Sequence, residues 1–269
     1  RLLHPSHDVT VFEADSRIGG HVHTWNVESG GRSWSVDSGF IVYNERNYPN
    51  FTRLLADLGV ATQPSTMSFS VRSDRAGLEY NGSTLRQLFV QKRNLMRLPY
   101  LRMLAQVVRF NREALNVVRD GPAGMSLGDM LDAGHYSPAF RDWYLLPMGS
   151  AIWSIPAVSV LDMPAAFFVD FFHNHGMLTV DARPEWRVVR GGSARYVDAL
   201  VAPFRDRVRL RNPVRRVMRF ADYVTVDGEP FDRVVLGCHS NQALALLADP
   251  THAERAVLQA LPYQLNEML

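Results

Sequence analysis

The sequence predicts an α/β fold, a nucleotide-binding domain interrupted by a mostly helical α+β segment. Two observations carry this expectation. Asp8-Val-Thr-Val-Phe-Glu13 is a β-branched run that closes on an acid, the pattern of a buried strand. Hydrophobic periodicity then runs strand-rich, helix-rich and strand-rich again, with no internal repeat or low-complexity tract.

The elements follow in order. Residues 22–27 and 33–37 alternate apolar and polar around Glu28-Ser-Gly-Gly-Arg32, a hairpin signal. Residues 47–58 place Phe51, Leu54, Leu55 and Leu58 at helical spacing and stop at Gly59. Residues 67–71 and 78–80 predict short strands. From 85 to 119 the period is helical and Pro99 divides it, because proline breaks an interior helix or opens a new one. Residues 120–124 read as a linker, and Ser126-Leu-Gly-Asp129 as a capping box with Asp in place of Glu. Residues 140–172 are apolar and aromatic and predict helices around a core or cavity. Residues 187–190 predict a strand, and Gly191-Gly-Ser193 opens a helix to about 204 with Ser193 as its N-cap. Residues 208–210, 214–220, 223–226 and 233–237 predict strands, with Asp227-Gly228 as a hairpin turn. Residues 242–248 and 253–261 predict helices.

Composition narrows the classes. At 46% hydrophobic and 21% charged, the 269 residues have the balance of a folded globular chain rather than a disordered one. The single cysteine, Cys238, excludes an internal disulfide and fits a reducing, cytoplasmic compartment. No apolar run is long enough to span a bilayer, and no basic-then-apolar leader is present. The net charge of +2 gives no pull toward nucleic acid, and no nucleic-acid partner is expected. Lys92 is the only lysine among 29 basic residues, so any lysine-dependent chemistry must use it.

Glu13 is the first functional candidate. An acid at the end of the second strand of a dinucleotide-binding unit accepts hydrogen bonds from ribose hydroxyls, and its charge disfavours a 2′-phosphate. Arg17-Ile-Gly-Gly20 follows, where paired glycines let backbone N–H groups approach a phosphate and arginine adds fork geometry.

Residues 11–20, Val-Phe-Glu-Ala-Asp-Ser-Arg-Ile-Gly-Gly, resemble the second FAD motif of the flavin-containing amine oxidoreductase superfamily. Val36-Asp-Ser-Gly-Phe40 resembles the segment near the flavin ring, and Val189-Arg-Gly-Gly-Ser193 the turn re-entering the FAD domain. Val214 lies in the strand that reaches the adenine region in that superfamily, and residues 232–239 resemble the late strand and turn beside the cofactor. Gly20-His-Val-His-Thr24, Ala151-Ile-Trp-Ser154, Asn174-His-Gly176 and His239-Ser-Asn-Gln-Ala243 look like the predicted NAD/FAD-binding proteins associated with cyclopropane-fatty-acid synthases. The resemblance implies FAD as cofactor and a Rossmann-like FAD domain. Its cofactor contacts would be Glu13, Ala14, Arg17, Gly19, Gly20, His21, Gly39, Phe40, Ile41, Val214, Cys238 and His239. It implies FAD-binding segments at 1–60 and 185–248, a substrate domain at 61–184, and a return toward that domain at 249–269.

The sequence departs from the superfamily pattern at several points. The first strand and its glycine-rich turn, and the C-terminal FAD segment, have no counterpart between Arg1 and Leu269; residues 1–5 would end the first helix. The expectation is a fragment that binds FAD weakly and is inactive alone. Gly-Gly-His at His21 replaces the usual Gly-Gly-Arg, and Lys92 lies far from the FAD motifs, which gives amine oxidation little support.

Nine histidines suit flavin hydrogen bonding or proton transfer better than metal, for which no ligand motif exists and no site is expected. His21, His239 and Trp153 are the catalytic candidates, Trp153 as a cavity-lining side chain in an aromatic segment that reads first as core. Residues 85–119 hold eight basic side chains against Glu113, either a solvated outer face or a peripheral contact with the inner membrane face.

The expected function is an FAD-dependent oxidoreductase acting on an apolar small molecule, a fatty-acyl or lipid substrate. The alternatives are a non-redox flavoenzyme resembling UDP-galactopyranose mutase, and a non-catalytic flavoprotein partner of a fatty-acid methyltransferase.

Overall fold

A computed structural model of the chain describes residues 2–179 and 184–265. Residues 2–7 form hydrogen-bonded turns, with the Ser6 and His7 amides donating to the Leu3 carbonyl. The elements are β1 (Val11–Phe12), β2 (His23–Ser29), β3 (Arg32–Ser38), α1 (Pro49–Asp57), β4 (Thr62–Ser65), β5 (Ser70–Ser73) and β6 (Leu78–Asn81). Then come α2 (Leu85–Leu88), a 3-10 turn (Lys92–Met96), α3 (Leu98–Asp120), α4 (Leu127–Ala133) and α5 (Pro138–Phe140). A π-helical turn (Arg141–Leu145) leads into α6 (Leu146–Trp153), α7 (Ala157–Leu161) and α8 (Ala165–Asn174). The chain finishes with β7 (Trp186–Val189), α9 (Ala194–Val201), β8 (Val208–Arg209), β9 (Val217–Arg219), β10 (Val224–Val226), β11 (Glu229–Phe231), α10 (Ser240–Leu246) and α11 (His252–Gln259).

The chain divides into two compact units, each built from separated segments. Unit 1 holds Arg1–Ile41, Leu54–Thr62 and Val189–Leu269; unit 2 holds Val42–Arg53 and Gln63–Val188. Residues 249–265 therefore belong with unit 1, where α11 packs on α10, and do not return to unit 2.

Unit 2 contains the large apolar core. Tyr100, Phe110, Phe140, Phe168 and Phe172 are fully buried, joined by Leu78, Met103, Leu127, Leu131 and Leu145. Helix α3 supplies its spine because Tyr100, Met103, Phe110 and Ala114 recur on one face, and Pro99 sits in its first turn, where no amide is needed. Ser126 and Asp129 close the expected capping box on α4, with Ser126 Oγ accepting from the Asp129 amide at 3.1 Å. Buried hydroxyls find carbonyls: Tyr80 donates to Trp143 O at 2.6 Å and Tyr100 to Leu88 O at 2.8 Å. Burial raises both phenols, Tyr100 to about 12.

Unit 1 is held differently. β1 and β8 pair in parallel, Val11 opposite Val208, and the ladder continues beyond the strands through the Glu13 amide to Arg209 O and the Asn212 amide to Glu13 O, both 2.9 Å. β2 and β3 form the expected hairpin in full register from His23 opposite Ser38 to Ser29 opposite Arg32. β9, β10 and β11 form an antiparallel sheet turned at Asp227-Gly228. Residues 233–237 are not a strand: no described strand pairs with them, and Val235 is 80% exposed, so β-branched composition has no ladder to join here. Arg219 on β9 reaches Asp249 and Glu254, tying α11 to the sheet.

Glu254 serves twice, accepting from Arg219 and from the Thr251 amide that starts α11. The Arg219 guanidinium first, then the Thr251 amide, hold its carboxyl down at about 2 instead of 4.5. A carboxyl depressed on folding contributes stability that is full above its unfolded value and lost as pH falls through the folded one. Stability should therefore fall between pH 4.5 and about 2. Urea titrations across that window should show a shallower acid limb for Glu254→Gln; an unchanged slope would refute this role.

Candidate cofactor-binding site

Every residue expected to touch the cofactor lies in unit 1. Glu13 follows β1 at the end of the parallel ladder, half-buried. One carboxylate oxygen accepts the Asp15 amide at 2.9 Å, which turns the side chain back over the loop. Val214 follows Asn212, whose amide donates to the Glu13 carbonyl, by two residues, and the Arg215 and Arg216 amides after it donate to Asp227. Ala14 beside Glu13 is exposed.

Arg17 does not project freely toward a ligand as the sequence implied. Its guanidinium donates to Val22 O at 3.1 Å and Gly20 O at 2.8 Å, so it braces the Gly19-Gly20 turn from within. Gly20 has open space where a side chain would stand, leaving its backbone accessible. A cavity of about 340 Å³ lies beside this turn, lined by Ser16, Arg17, His23, Thr24, Ala194 and Asp198 among others.

Three distant segments meet at His21. A Cβ on Gly39 would lie 2.1 Å from the His21 carbonyl, and Gly39 has φ +90°, so only glycine lets these backbones approach. The His21 ring stacks on His239 at 5.3 Å, and His239 stacks on Tyr263 at 4.6 Å. Cys238 beside them is exposed, and Phe40 and Ile41 continue from Gly39, with Ile41 half-exposed. The structure thus brings together His21, Gly39 and His239, which the sequence named separately.

Sequence reasoning missed what aligns this assembly. Asp37 and Thr24 face each other on the β2–β3 hairpin, and together they cap α9. Asp37 accepts from the Ser193 amide at 2.9 and 3.0 Å and from its hydroxyl at 2.8 Å; Thr24 Oγ1 accepts from the Ala194 amide at 2.9 Å and donates to Asp37. Ser193 is therefore not the side-chain cap expected of it. Its own backbone is already helical and its hydroxyl is spent on Asp37. The carboxylate at the helix N-terminus also meets the positive end of the helix dipole. Burial, then the charge of Asp37, raises the neighbouring Tyr196 phenol. Gly192 is obligatory, since a Cβ there would lie 2.3 Å from Thr24 Cγ2. Asp37 sits in the quoted Val36–Phe40 motif, and its place among serines on a polar hairpin face was the available signal.

Trp153 belongs to unit 2 and packs on Phe168 and Phe171, at 5.3 and 4.8 Å between rings. Its surroundings are core. His175 stacks on Phe171 at 3.9 Å. Among the described residues no three His, Cys, Asp or Glu converge as metal ligands.

The family model of flavin containing amine oxidoreductases matches residues 1–265. The chain belongs to that family. FAD is the family's cofactor, and the chain is an amine-oxidase-like flavoprotein by descent. A putrescine oxidase variant superposes with TM-score 0.67 at 18% identity, covering 96% of this chain and 59% of its own. Cyclohexylamine oxidase from Brevibacterium oxydans superposes with TM-score 0.67 at 19% identity over the same shares. A fatty acid isomerase from P. acnes, described as producing CLA, gives TM-score 0.55 at 15% identity, covering 94% of this chain and 58% of its own. The chain thus spans about 59% of the length of the oxidases it resembles, and these likenesses establish the fold.

Gly39→Ala should destabilise unit 1 by roughly 2–4 kcal/mol, because a backbone carbonyl must move as well as φ being strained. Gly30→Ala, with φ +60° and open space, should cost only about 1 kcal/mol. Equal losses in urea unfolding would contradict the close packing of residues 39 and 21.

Proposed function

We propose that the whole protein is an FAD-dependent oxidoreductase acting on an apolar small molecule of fatty-acyl type. The observation that carries the reading is Glu13, at the tip of a parallel ladder and followed at once by the braced Gly19-Gly20 turn. The residues present fit the cofactor. The second Glu13 oxygen makes no hydrogen bond among the described residues, and Gly20 leaves room for a ligand atom where a Cβ would stand.

In this reading Glu13 and Ala14 hold the adenosine ribose, and Val214 packs near adenine. The Gly19 and Gly20 amides face phosphate, with Arg17 fixing their turn. Gly39, Phe40 and Ile41 lie along the ring, with His21, Cys238 and His239 beside them. When bound, the flavin supplies a two-electron acceptor. The protein orients the substrate, excludes water and, at His21 or His239, moves a proton.

One likeness supports the fatty-acyl class. The fold is shared with a fatty acid isomerase, as it is with putrescine oxidase and cyclohexylamine oxidase, and the anaerobic test below separates the two substrate classes.

The test uses the full-length protein. It should purify with flavin absorbance, and Glu13→Ala should weaken FAD binding at least about tenfold while leaving the melting temperature of the FAD-stripped protein nearly unchanged, because ribose hydrogen bonds to a carboxylate are worth roughly 1.5–3 kcal/mol. Anaerobic addition of fatty-acyl candidates should bleach the flavin, whereas simple amines should not. Bleaching by amines alone would overturn the substrate class, and a colourless full-length protein would overturn the cofactor reading.

A further inference from the structure

Residues 85–98 of unit 2 combine exposed aliphatic side chains with cations in one short stretch. Met96 is 89% exposed, Leu98 78% and Leu85 77%, and Val90 and Leu95 are also exposed. Arg86, Lys92 and Arg93 stand exposed among them, and Arg97 is half-buried. Between residues 85 and 112 there is no carboxylate, while Arg102, Arg109 and Arg112 add further positive charge.

Part of this stretch is anchored in the core. Leu88 and Phe89 from the same stretch turn inward against the core, Asn94 is fully buried, and Tyr100 ties its hydroxyl to Leu88 O. The segment is thus anchored by one set of side chains while the other set is held outward. Arg93 and Arg97 bond the Gly77 and Ala76 carbonyls, and Arg97 also lies over Trp143 at 4.6 Å. Carbonyls and rings fix these guanidiniums without neutralising them. Among the described residues no acid pairs with Arg86 or Lys92.

Charge complementarity and the protruding aliphatics together select the occupant. An acidic protein would answer the cations but not five separate aliphatic side chains. A nucleic acid would want an aromatic platform, and the stretch's one aromatic residue, Phe89, faces Tyr100. An anionic lipid surface answers both, since aliphatic side chains enter the acyl boundary while Arg and Lys stay with the headgroups. We propose that residues 85–98 dock the protein on a bilayer carrying anionic lipid. No described helix is long and apolar enough to cross the membrane, and the contact proposed for this stretch is peripheral. The proposal does not depend on the flavin reading.

Flotation of the full chain with vesicles tests it. The protein should partition onto phosphatidylcholine containing about 30% phosphatidylglycerol at least tenfold better than onto phosphatidylcholine alone at about 0.1 M salt, and lose most of this at about 0.5 M. Arg86→Glu with Lys92→Glu, and separately Met96→Ser with Leu98→Ser, should each lower binding about tenfold with unchanged melting temperature. Equal binding to both vesicles, or wild-type binding by either double variant, would overturn the proposal. So would a vesicle-independent dimer that the same substitutions dissolve.

Discussion

One carboxylate aligns the pieces of unit 1. Asp37 and Thr24, on the polar face of the β2–β3 hairpin, take up the first amides of α9, a helix more than 150 residues later in the chain. Without that cap the α9 N-terminus would present bare amides, and the hairpin would lose its half-buried partner. The cap also sets the site, because Gly39 follows Asp37 by two residues and packs on the His21 carbonyl. From there the ring stack runs to His239 and Tyr263. A shift of the hairpin against α9 would therefore move Gly39 and His21 against the late segment that carries His239.

The two units rest on different physics. Unit 2 encloses a continuous apolar cluster with five fully buried aromatic side chains, and its stability follows from area removed from water. Unit 1 has only scattered buried apolar residues, among them Leu55, Val201, Phe204, Val217 and Val226. It relies on a parallel ladder, a capped helix and the Arg219–Glu254 and Arg209–Glu229 pairs.

Local interactions were legible in the sequence, and long-range ones were not. The Ser126–Asp129 box, the Pro99 start of α3 and the Asp227-Gly228 turn each depend on neighbours within a few residues, and each forms as expected. Ser193 carried the right residue type for a cap, but a partner 156 positions earlier took that role. Residues 233–237 had strand composition, yet a strand needs a second chain segment, and composition does not reveal whether one is present. Arg17 shows the same limit: its charge was evident, but its bonds to Val22 and Gly20 follow from how tightly the loop closes. The hairpin even inverts the usual expectation, exposing Trp25, Trp34 and Val36 while its polar face meets α9.

The central claim is that Asp37, acting with Thr24, holds the hairpin to the start of α9. Amide hydrogen exchange at Ser193 and Ala194 reads that clamp directly, with the α4 amides as an internal reference in the other unit. Asp37→Asn combined with Thr24→Val should speed exchange at both amides by roughly 30-fold, the equivalent of losing about 2 kcal/mol of local protection, while α4 exchanges as before. Unchanged protection at Ser193 and Ala194 in that variant would contradict the account.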